Sequence, residues 1–276
     1  MNALSSLEEI FDITSKIRDK KRGFITNFYL EELRHSIWIK KKNFYYEWNG
    51  DTCFLFRKTE HYWNAFYLST STEELGRALS ELNQKYSNAS LIFDIVGRQE
   101  TCDVLMPVFQ ANGFFQESSL ARYIRINNAP IENDLEIKKV QRATIEQARE
   151  ANRLLHQYMD ERIEQIPDIE EYEEWAKLGH ILVYLVDDKI AGFFDYEKNK
   201  STTMTRHWLV LPEYRGHHIG ATLYRRFLYE ANDTKRILSW IIQSNEISIK
   251  NHVHYGFKRE NLFDYIMTNE KTANKS

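Results

Sequence analysis

Residues 209–221 read Leu-Val-Leu-Pro-Glu-Tyr-Arg-Gly-His-His-Ile-Gly-Ala and run directly into a helical pattern over residues 222–231. The stretch combines an apolar strand end, a turn and a basic loop that contains two glycines. The first turn of a helix has N–H groups without backbone partners and carries the positive end of the helix dipole. Gly216 and Gly220 would let a phosphate approach those N–H groups, and Arg215 would add a permanent charge beside them. The stretch predicts a phosphate-binding helix start, although a purely structural strand–turn–helix connection has the same pattern.

A second segment with a regular spacing follows one more apolar strand, Ile237–Ile242. It contains Asn245, then Ser248, His252 and the pair Gly256-Phe257, at three, seven, eleven and twelve positions from the asparagine. The two segments together resemble the GNAT superfamily of acyl-CoA N-acetyltransferases, in which a Pro-Glu-Tyr-Arg-Gly turn precedes the loop and an asparagine motif follows at this separation. The resemblance covers about residues 135–267, roughly half of the chain.

The resemblance implies a coenzyme A cleft with acetyl-CoA as the cosubstrate. Strand residues before the turn would hold the pantetheine arm and the thioester oxygen, and the loop would hold the pyrophosphate. The implied coenzyme-binding residues are Leu209, Val210, Leu211, Arg215, Gly216, His217, His218, Ile219, Gly220, Ala221, Asn245 and His252.

The chain departs from the family pattern at two of these positions. His218 stands where the family has its first loop glycine, and a side chain there would weaken the approach of a phosphate. His252 stands where the family has a tyrosine that protonates the leaving thiolate. Since histidine titrates near neutral pH, His252 is a candidate general acid, and packing or coenzyme contact is the alternative.

A general base is less apparent than the coenzyme site. The strand positions from which the family draws a base are occupied by Met204 and Arg206, and strand alternation would turn His207 to the opposite face. Asp195 or Glu197 could act through water. Arg206 would bind an acidic group of the acceptor or pair with the acidic helix at residues 168–174. The predicted substrate residues are Arg206, Trp208 and Glu197.

An internal repeat predicts two domains of the same kind. Gly113-Phe114 and the strand pattern after it echo Gly256-Phe257 and its strand, and similar strands and helices precede both. We therefore predict an α/β (α+β) fold of two tandem GNAT-like domains, 1–130 and 131–276, joined by a polar linker at residues 127–133. Each domain would have a mixed, mostly antiparallel sheet flanked by helices.

The first domain is predicted to be degenerate. By the same spacing its anion loop falls on residues 71–76, where Glu73 and Glu74 replace the basic, glycine-bearing loop. Carboxylates at a helix start compete with a phosphate for the N–H groups and repel it. We expect this domain to bind no coenzyme and to cover the second domain or shape its acceptor pocket.

Local patterns predict the elements of the second domain. They are a strand at residues 135–140, helices at 144–159 and from Pro167, a hairpin at 181–197, a strand at 203–211, the helix after the loop, a strand, a short helix and two final strands.

The length and composition of the chain exclude several classes of protein. With 276 residues, 42% hydrophobic, the chain can bury the cores of two domains, and its net charge of −3 argues against a general nucleic-acid binder. Cys53 and Cys102 are too few for a disulfide framework or a metal site. The acidic N-terminal residues and short apolar runs predict no signal peptide and no membrane span, hence a cytoplasmic protein, either a monomer or a homodimer.

These observations predict an acetyl-CoA-dependent N-acetyltransferase in which an amine of a small molecule or a peptide attacks the thioester directly. The altered loop and the unassigned base keep a second hypothesis open, an acyl-CoA-binding sensor or regulatory module with little turnover. A non-catalytic scaffold is a third, suggested only by the degenerate first half.

Overall fold

The structure, a computed structural model, describes residues 1–127, 132 and 134–270. It divides into two compact units: unit 1 comprises Met1–Leu120 and Asn261–Ser276, and unit 2 comprises Ala121–Glu260. The predicted division had a single cut after residue 130, whereas the chain enters unit 2 at residue 121 and its last segment returns to unit 1. Most of the predicted linker at residues 127–133 lies outside the described residues.

The elements are numbered in chain order. Those from the N-terminus to the entry into unit 2 are β1 (Asn2–Ala3), α1 (Leu7–Lys20), β2 (Ile25–Thr26), α2 (Glu32–Lys40), β3 (Phe44–Asn49), β4 (Thr52–Lys58), β5 (Trp63–Ser69), α3 (Thr72–Lys85), β6 (Leu91–Gly97), α4 (Gln99–Ala111) and β7 (Phe115–Ile126). The remaining elements are β8 (Val140–Arg142), α5 (Ile145–Tyr158), α6 (Ile169–Lys177), β9 (Ile181–Val186), β10 (Lys189–Asn199), β11 (Thr202–Val210), α7 (Ile219–Glu230), β12 (Arg236–Ile242), α8 (Glu246–His254) and β13 (Lys258–Thr268), with 3-10 turns at Ile137–Lys139 and Pro212–Tyr214.

The sheet of unit 1 has the strand order β1-β3-β4-β5-β6-β13, and β2 pairs with β5. Neighbouring strands are antiparallel except β5 and β6, which are parallel and joined through α3. The apolar stripe of α1, formed by Ile10, Ile13 and Ile17, is buried against one face together with Trp38 and Phe44. This spacing is the one that an amphipathic helix on a sheet requires.

The sheet of unit 2 has the strand order β7-β12-β11-β10-β9-β8. Its parallel pair is β11 and β12, joined through α7, and β8 to β11 are antiparallel neighbours. One face is covered by α5 and α6, whose Leu155, Tyr172 and Trp175 belong to the core cluster. The other face is covered by α7, whose Phe227 stacks on Phe194 of β10 with ring centroids 4.4 Å apart. The predicted α/β class, with a mixed sheet flanked by helices, is confirmed.

Three local predictions need correction. Residues 137–142 form a 3-10 turn and a three-residue strand rather than one strand over 135–140. Helix α7 begins at Ile219, before the predicted start at Thr222, so the end of the loop is already helical. The two strands expected after α8 are the single long strand β13, and its register on β6 runs from Phe263 opposite Gly97 to Thr268 opposite Ile92.

The internal repeat is visible in the backbone. Gly113 follows α4 with φ +84°, and Gly256 follows α8 with φ +86°. Both are left-handed helix ends, a conformation that glycine adopts without a steric penalty. A Cβ at Gly113 would also lie 2.5 Å from the amide nitrogen of Asn83. The two Gly-Phe pairs thus mark the same turn in each half.

Across residues 1–127, 132 and 134–270, we find no helix long and apolar enough to cross a membrane. The same residues contain no group of three or more His, Cys, Asp or Glu side chains that could hold a metal ion.

Candidate functional site

The start of α7 is an uncapped helix end beside an open loop. The helix has no acidic residue in its first turn and no side-chain hydrogen bond from its N-cap residue, His218. Residues 215–218 are exposed, and Gly216 has φ +84° with no atom near the position of a Cβ. Uncapped N–H groups and the dipole of a twelve-residue helix favour an anion here.

His218 has a left-handed backbone with φ +59°. Its carbonyl accepts from the N–H of Thr222 at 3.0 Å and from the Thr222 hydroxyl at 3.1 Å. The position therefore has the conformation that the family's glycine suits, and histidine adopts it at an energetic cost. The side chain is exposed, so it lies at the loop surface rather than in the core.

The equivalent helix start in unit 1 is already occupied by the chain itself. The Ser71 hydroxyl accepts a hydrogen bond from the N–H of Glu74 at 3.2 Å, and Glu73 and Glu74 lie in the first turn of α3. The serine cap satisfies one N–H group at this helix start and the two carboxylates place negative charge beside it, so an anionic ligand is disfavoured there. This is the physical contrast that the sequence predicts between the two halves.

Strands β11 and β12 separate toward the start of α7. Their pairing runs from Thr202 opposite Arg236 to Thr205 opposite Ser239 and ends there. The Thr205 hydroxyl donates to the Ser239 hydroxyl at 2.8 Å, which ties the strands together at the last paired position. Beyond it, residues 206–210 have no partner residues on β12. A gap of this kind leaves strand edge groups available to an extended ligand.

The three strand-end residues of the coenzyme prediction lie along this gap. Leu209 and Leu211 are buried in the core cluster beneath α5 and α6, and the N–H of Leu211 donates to the carbonyl of Ala191 at 3.0 Å. Val210 is half-buried, and its carbonyl accepts from Nε of Arg215 at 3.2 Å. Arg215 thus lies between the strand end and the helix start.

The corresponding gap in unit 1 is closed by the chain. Strands β5 and β6 pair only from Trp63 to Ala65, and β2 pairs with β5 beyond that point. Asn27, which is 6% exposed, accepts from the N–H of Tyr67 at 2.8 Å and donates to the carbonyl of Asp94 at 2.9 Å. This buried amide bridges the separated strands, a feature that the sequence pattern did not predict.

His252 is buried beside the last paired position of β11 and β12. Its Nδ1 lies 2.8 Å from the carbonyl of Ser248, so Nδ1 carries the proton, and Nε2 can accept from the Ser239 hydroxyl at 3.1 Å. Burial lowers the pKa of His252, although the Ser248 carbonyl opposes this. A neutral ring with both nitrogens bonded is a poor proton donor. The environment therefore favours the packing alternative over the predicted general acid.

The ring of His252 also has aromatic neighbours on this face. Its centroid lies 6.0 Å from Trp208, 5.7 Å from Tyr224 and 5.2 Å from Phe257, each at a steep angle. These edge-to-face contacts are typical of a core residue.

Asn245 is the N-cap of α8. Its side-chain oxygen accepts from the N–H of Ser248 at 3.0 Å, which satisfies one of the free donors of that helix. The residue is exposed. Its predicted place at the edge of the coenzyme cleft remains a prediction.

The predicted substrate residues are only partly brought together. The guanidinium of Arg206 donates to the carboxylate of Glu197, so both predicted groups bind each other. Trp208 lies on the other face of the sheet, with its ring 4.7 Å from Tyr224 and close to Gly220 at the start of α7.

A β-bulge in β11 explains why strict strand alternation does not predict which face of the sheet each side chain of residues 205–208 occupies. Phe194 of β10 is opposite Trp208, but Tyr196 is opposite Thr205, so Asp195 faces the two residues Arg206 and His207. Thr205 and Trp208 consequently share the face of α7 and α8, although they are three positions apart. The bulge lies just before residues 209–211.

The bulge has a buried charged network beneath it. Asp195 is fully buried, and one carboxylate oxygen accepts the N–H of His207 at 2.6 Å while the other accepts the hydroxyl of Tyr172. Nδ1 of His207 lies 3.1 Å from both carboxylate oxygens, and Nε2 lies 3.1 Å from the carbonyl of Glu164. The sequence singled out Asp195 and His207 but not this arrangement.

Gly192 on β10 is a further residue that sequence reasoning missed. A Cβ there would lie 2.9 Å from the carbonyl oxygen of Leu209, 3.1 Å from Leu223 and 3.3 Å from Ile219. Glycine is therefore what lets the first turns of α7 lie against β10 and β11. A glycine inside a strand pattern is the signal that could have found it.

Comparison with protein families matches residues 146–257 to the acetyltransferase (GNAT) family. The matched region contains both sequence segments, the gap between β11 and β12 and the start of α7. No curated protein sequence matches the chain.

Solved structures with a similar fold extend over both units. A GCN5-related N-acetyltransferase from Kribbella flavida has a TM-score of 0.59 at 11% identity, covering 88% of this chain and 95% of that one. A GCN5-related N-acetyltransferase from Sphaerobacter thermophilus has a TM-score of 0.57 at 9% identity, covering 79% and 76%. A tandem GNAT protein from the clavulanic acid biosynthesis pathway has a TM-score of 0.54 at 12% identity, covering 82% of each chain. At such identities the likeness is one of fold alone.

Proposed function

We propose that the protein transfers an acetyl group from acetyl-CoA to an amine of a small molecule or a peptide, because residues 146–257 match the acetyltransferase (GNAT) family. The observation that carries the proposal is the uncapped start of α7 at the mouth of the gap between β11 and β12. In unit 1 the equivalent helix start is capped by Ser71, and the equivalent gap between strands is bridged by Asn27. We therefore assign coenzyme binding to unit 2 alone.

The residues of unit 2 fit the two ends of the coenzyme. The N–H groups of residues 217–221 and the guanidinium of Arg215 would hold the pyrophosphate, with Gly216 leaving open space for it. The edge of β11 at residues 206–210 would pair with the amides of the pantetheine arm. The thioester would then lie near Trp208, where the gap narrows toward Thr205 and Ser239.

The reaction needs little from the protein beyond position. The nitrogen of a neutral amine attacks the thioester carbonyl carbon, the C–S bond breaks, and the coenzyme leaves as a thiolate. The amine nitrogen loses one proton and the thiolate gains one, so the products are an amide and a free thiol. Positioning the reactants and bonding the developing oxyanion supply most of the acceleration in such a step.

An acyl-CoA-binding sensor with little turnover is the second candidate. It is favoured by the pairing of Arg206 with Glu197 and by the neutral, fully bonded ring of His252. Neither arrangement presents a proton donor or a free base at the thioester end. Both candidates need the same coenzyme site, so turnover is what separates them.

The test combines thermal unfolding with release of free thiol from acetyl-CoA over a panel of small and peptide amines. We expect saturating acetyl-CoA to raise Tm, since binding to the folded state alone adds about 2.7 kcal/mol at a hundred times Kd. Arg215→Ala should abolish most of this rise. The matched control is Arg153→Ala, which removes an exposed arginine of α5 that is paired with Glu150.

The outcomes separate the hypotheses. Amine-dependent thiol release that is lost in Arg215→Ala and kept in Arg153→Ala supports the enzyme. A rise in Tm without thiol release supports the sensor. No rise in Tm at any concentration would overturn the assignment of the coenzyme site.

A further inference from the structure

We propose that Asp195 and His207 form a buried ion pair that holds the β11 bulge in shape and thereby positions the strand edge that meets the acetyl group. The proposal rests on the proposed acetyl transfer and names two positioning residues for it. Neither residue needs to contact the coenzyme, because both act through the backbone of Arg206, His207 and Trp208.

The geometry ties the pair to the bulge directly. The Asp195 carboxylate accepts the backbone N–H of His207 at 2.6 Å, so a side chain of β10 replaces the backbone partner that the bulge removes. A buried N–H without a partner would cost about 1–3 kcal/mol. The same carboxylate also bonds the His207 ring, and therefore fixes both the main chain and the side chain of that residue.

The hydrogen bonds determine the charge on His207. Nε2 faces the carbonyl of Glu164, which can only accept, so Nε2 carries a proton. Asp195 accepts the His207 N–H and the Tyr172 hydroxyl, and in the proposed ion pair Nδ1 donates to the same carboxylate. With protons on both nitrogens the ring is an imidazolium. His207 and His252 thus lie on opposite faces of one sheet, the first as an imidazolium and the second as a neutral ring.

The groups that face the ring support this assignment. Burial disfavours the charged imidazole, but the Asp195 carboxylate and the Glu164 carbonyl outweigh it and raise the pKa of His207. Burial also raises the pKa of Tyr172, aided by the neighbouring Asp195, so its hydroxyl stays protonated and donates. The Glu164 carboxyl is a further titratable neighbour, and burial raises its pKa.

The network joins the bulge to two other elements. Tyr172 belongs to α6, and Glu164 lies in the segment between α5 and α6. Since His207 bonds Glu164 through Nε2 and Asp195 bonds Tyr172, the strand edge is held from the α6 side of the sheet. A shift of about 1 Å at a reacting group can cost on the order of a hundredfold in rate.

The first test is the charge of His207 in the unmodified protein, read from the nitrogen shifts of its imidazole ring by NMR. Signals are assigned by their loss in His207→Gln and His252→Gln. At pH 7.5, where an ordinary histidine with a pKa of about 6.5 is mostly neutral, we expect His207 to remain doubly protonated. His252 in the same spectrum serves as the neutral control. A neutral His207 at this pH would overturn the proposal.

The second test measures kcat and KM for acetyl-CoA in Asp195→Asn. We expect kcat to fall about ten- to a hundredfold while KM for acetyl-CoA stays within about twofold, because the residues that would bind pyrophosphate are unchanged. Tyr172→Phe is the matched control: it removes one donor to the same carboxylate and leaves the ion pair intact, so kcat should change far less. Equal losses in both variants, or a rise in KM without a fall in kcat, would contradict the proposal.

Amide hydrogen exchange at the bulge tests the role of the ion pair independently of any acetyl transfer. If the unmodified protein releases no thiol, the acetyl transfer fails, but Asp195→Asn should still accelerate exchange at the N–H of His207 and Trp208. The N–H groups of Ile237 and Leu238 on β12 serve as the reference. Unchanged exchange at the bulge would overturn the role of the ion pair whatever the activity.

Discussion

Replacing Gly192 with alanine tests whether a single strand glycine sets the distance between α7 and the sheet. The added Cβ would lie 2.9 Å from the carbonyl oxygen of Leu209, where ordinary contact begins at 3.4 Å, so the shortfall is 3.4 − 2.9 = 0.5 Å. The Leu223 methyl at 3.1 Å can rotate away, but a strand carbonyl cannot. Over-packing of this kind costs about 1–3 kcal/mol. We expect Gly192→Ala to lower the free energy of unfolding by that amount.

The assay is urea unfolding followed by tryptophan fluorescence, with hydrogen exchange of the α7 amides to assign the loss to unit 2. The matched control is Gly220→Ala, whose Cβ would meet Trp208 and Val210 at 3.4 Å, an ordinary contact. Alanine also has a better helix propensity than glycine by up to about 1 kcal/mol. The control should therefore be neutral or stabilising. Equal stability of the two variants would refute the reasoning.

Four further outcomes follow from the described contacts. His218→Gly relieves a left-handed histidine at φ +59° and should raise the free energy of unfolding by up to about 1 kcal/mol. It also removes a side chain beside the predicted phosphate position, so acetyl-CoA binding in calorimetry should be unchanged or tighter; weaker binding would show that the histidine itself contacts the phosphate. Asn27→Ala leaves the Tyr67 N–H and the Asp94 carbonyl without their bridge and should lower the unfolding free energy by about 1–3 kcal/mol, with faster exchange at Tyr67. Burial, with a smaller contribution from Arg34, lowers the pKa of His35 to about 3. Between about pH 6.5 and 3 the unfolded chain therefore binds a proton at His35 that the folded chain does not, and the free energy of unfolding should fall by about 1.4 kcal/mol for each pH unit in that range. His35→Gln should reduce this dependence on pH. His252→Gln should reduce kcat and leave the shape of the pH–rate profile unchanged; a shifted limb would restore the general-acid role.

The strand–loop–helix at residues 209–221 was open to prediction because its signals are local. A glycine-bearing loop followed by an amphipathic pattern predicts a loop and a helix start from about a dozen consecutive residues, and α7 begins at the end of that loop. The acidic counterpart at residues 71–76 was equally readable, since Glu73 and Glu74 at a predicted helix start are typical of its first turn; the Ser71 cap was not singled out.

The surroundings of the predicted substrate residues were not open to prediction because they depend on the register of the strands. One extra residue in β11 turns Thr205 and Trp208 to the same face, and strict alternation gives the opposite result. Arg206 and Glu197 were both proposed for substrate, but the bulge and its register make them partners. Asn27 is distant in sequence from the strands that it bridges, so no local pattern points to it.

The sequence by itself determined the two repeated halves, the strand–loop–helix at residues 209–221 and the acidic helix start at the equivalent place in the first half, because each follows from residues close together in the chain. Only the tertiary structure decided where the two Gly-Phe strands belong: β13, from the second half of the sequence, pairs with β6 in unit 1, and β7, from the first half, pairs with β12 in unit 2. Both strands carry the same pattern, so either sheet edge satisfies their local preferences. Only the tertiary structure decided the hydrogen-bond partners of the two buried histidines, because Asp195 and Ser239 are distant in sequence from His207 and His252 and reach them through the fold. Those partners in turn influence which nitrogens of each ring carry a proton.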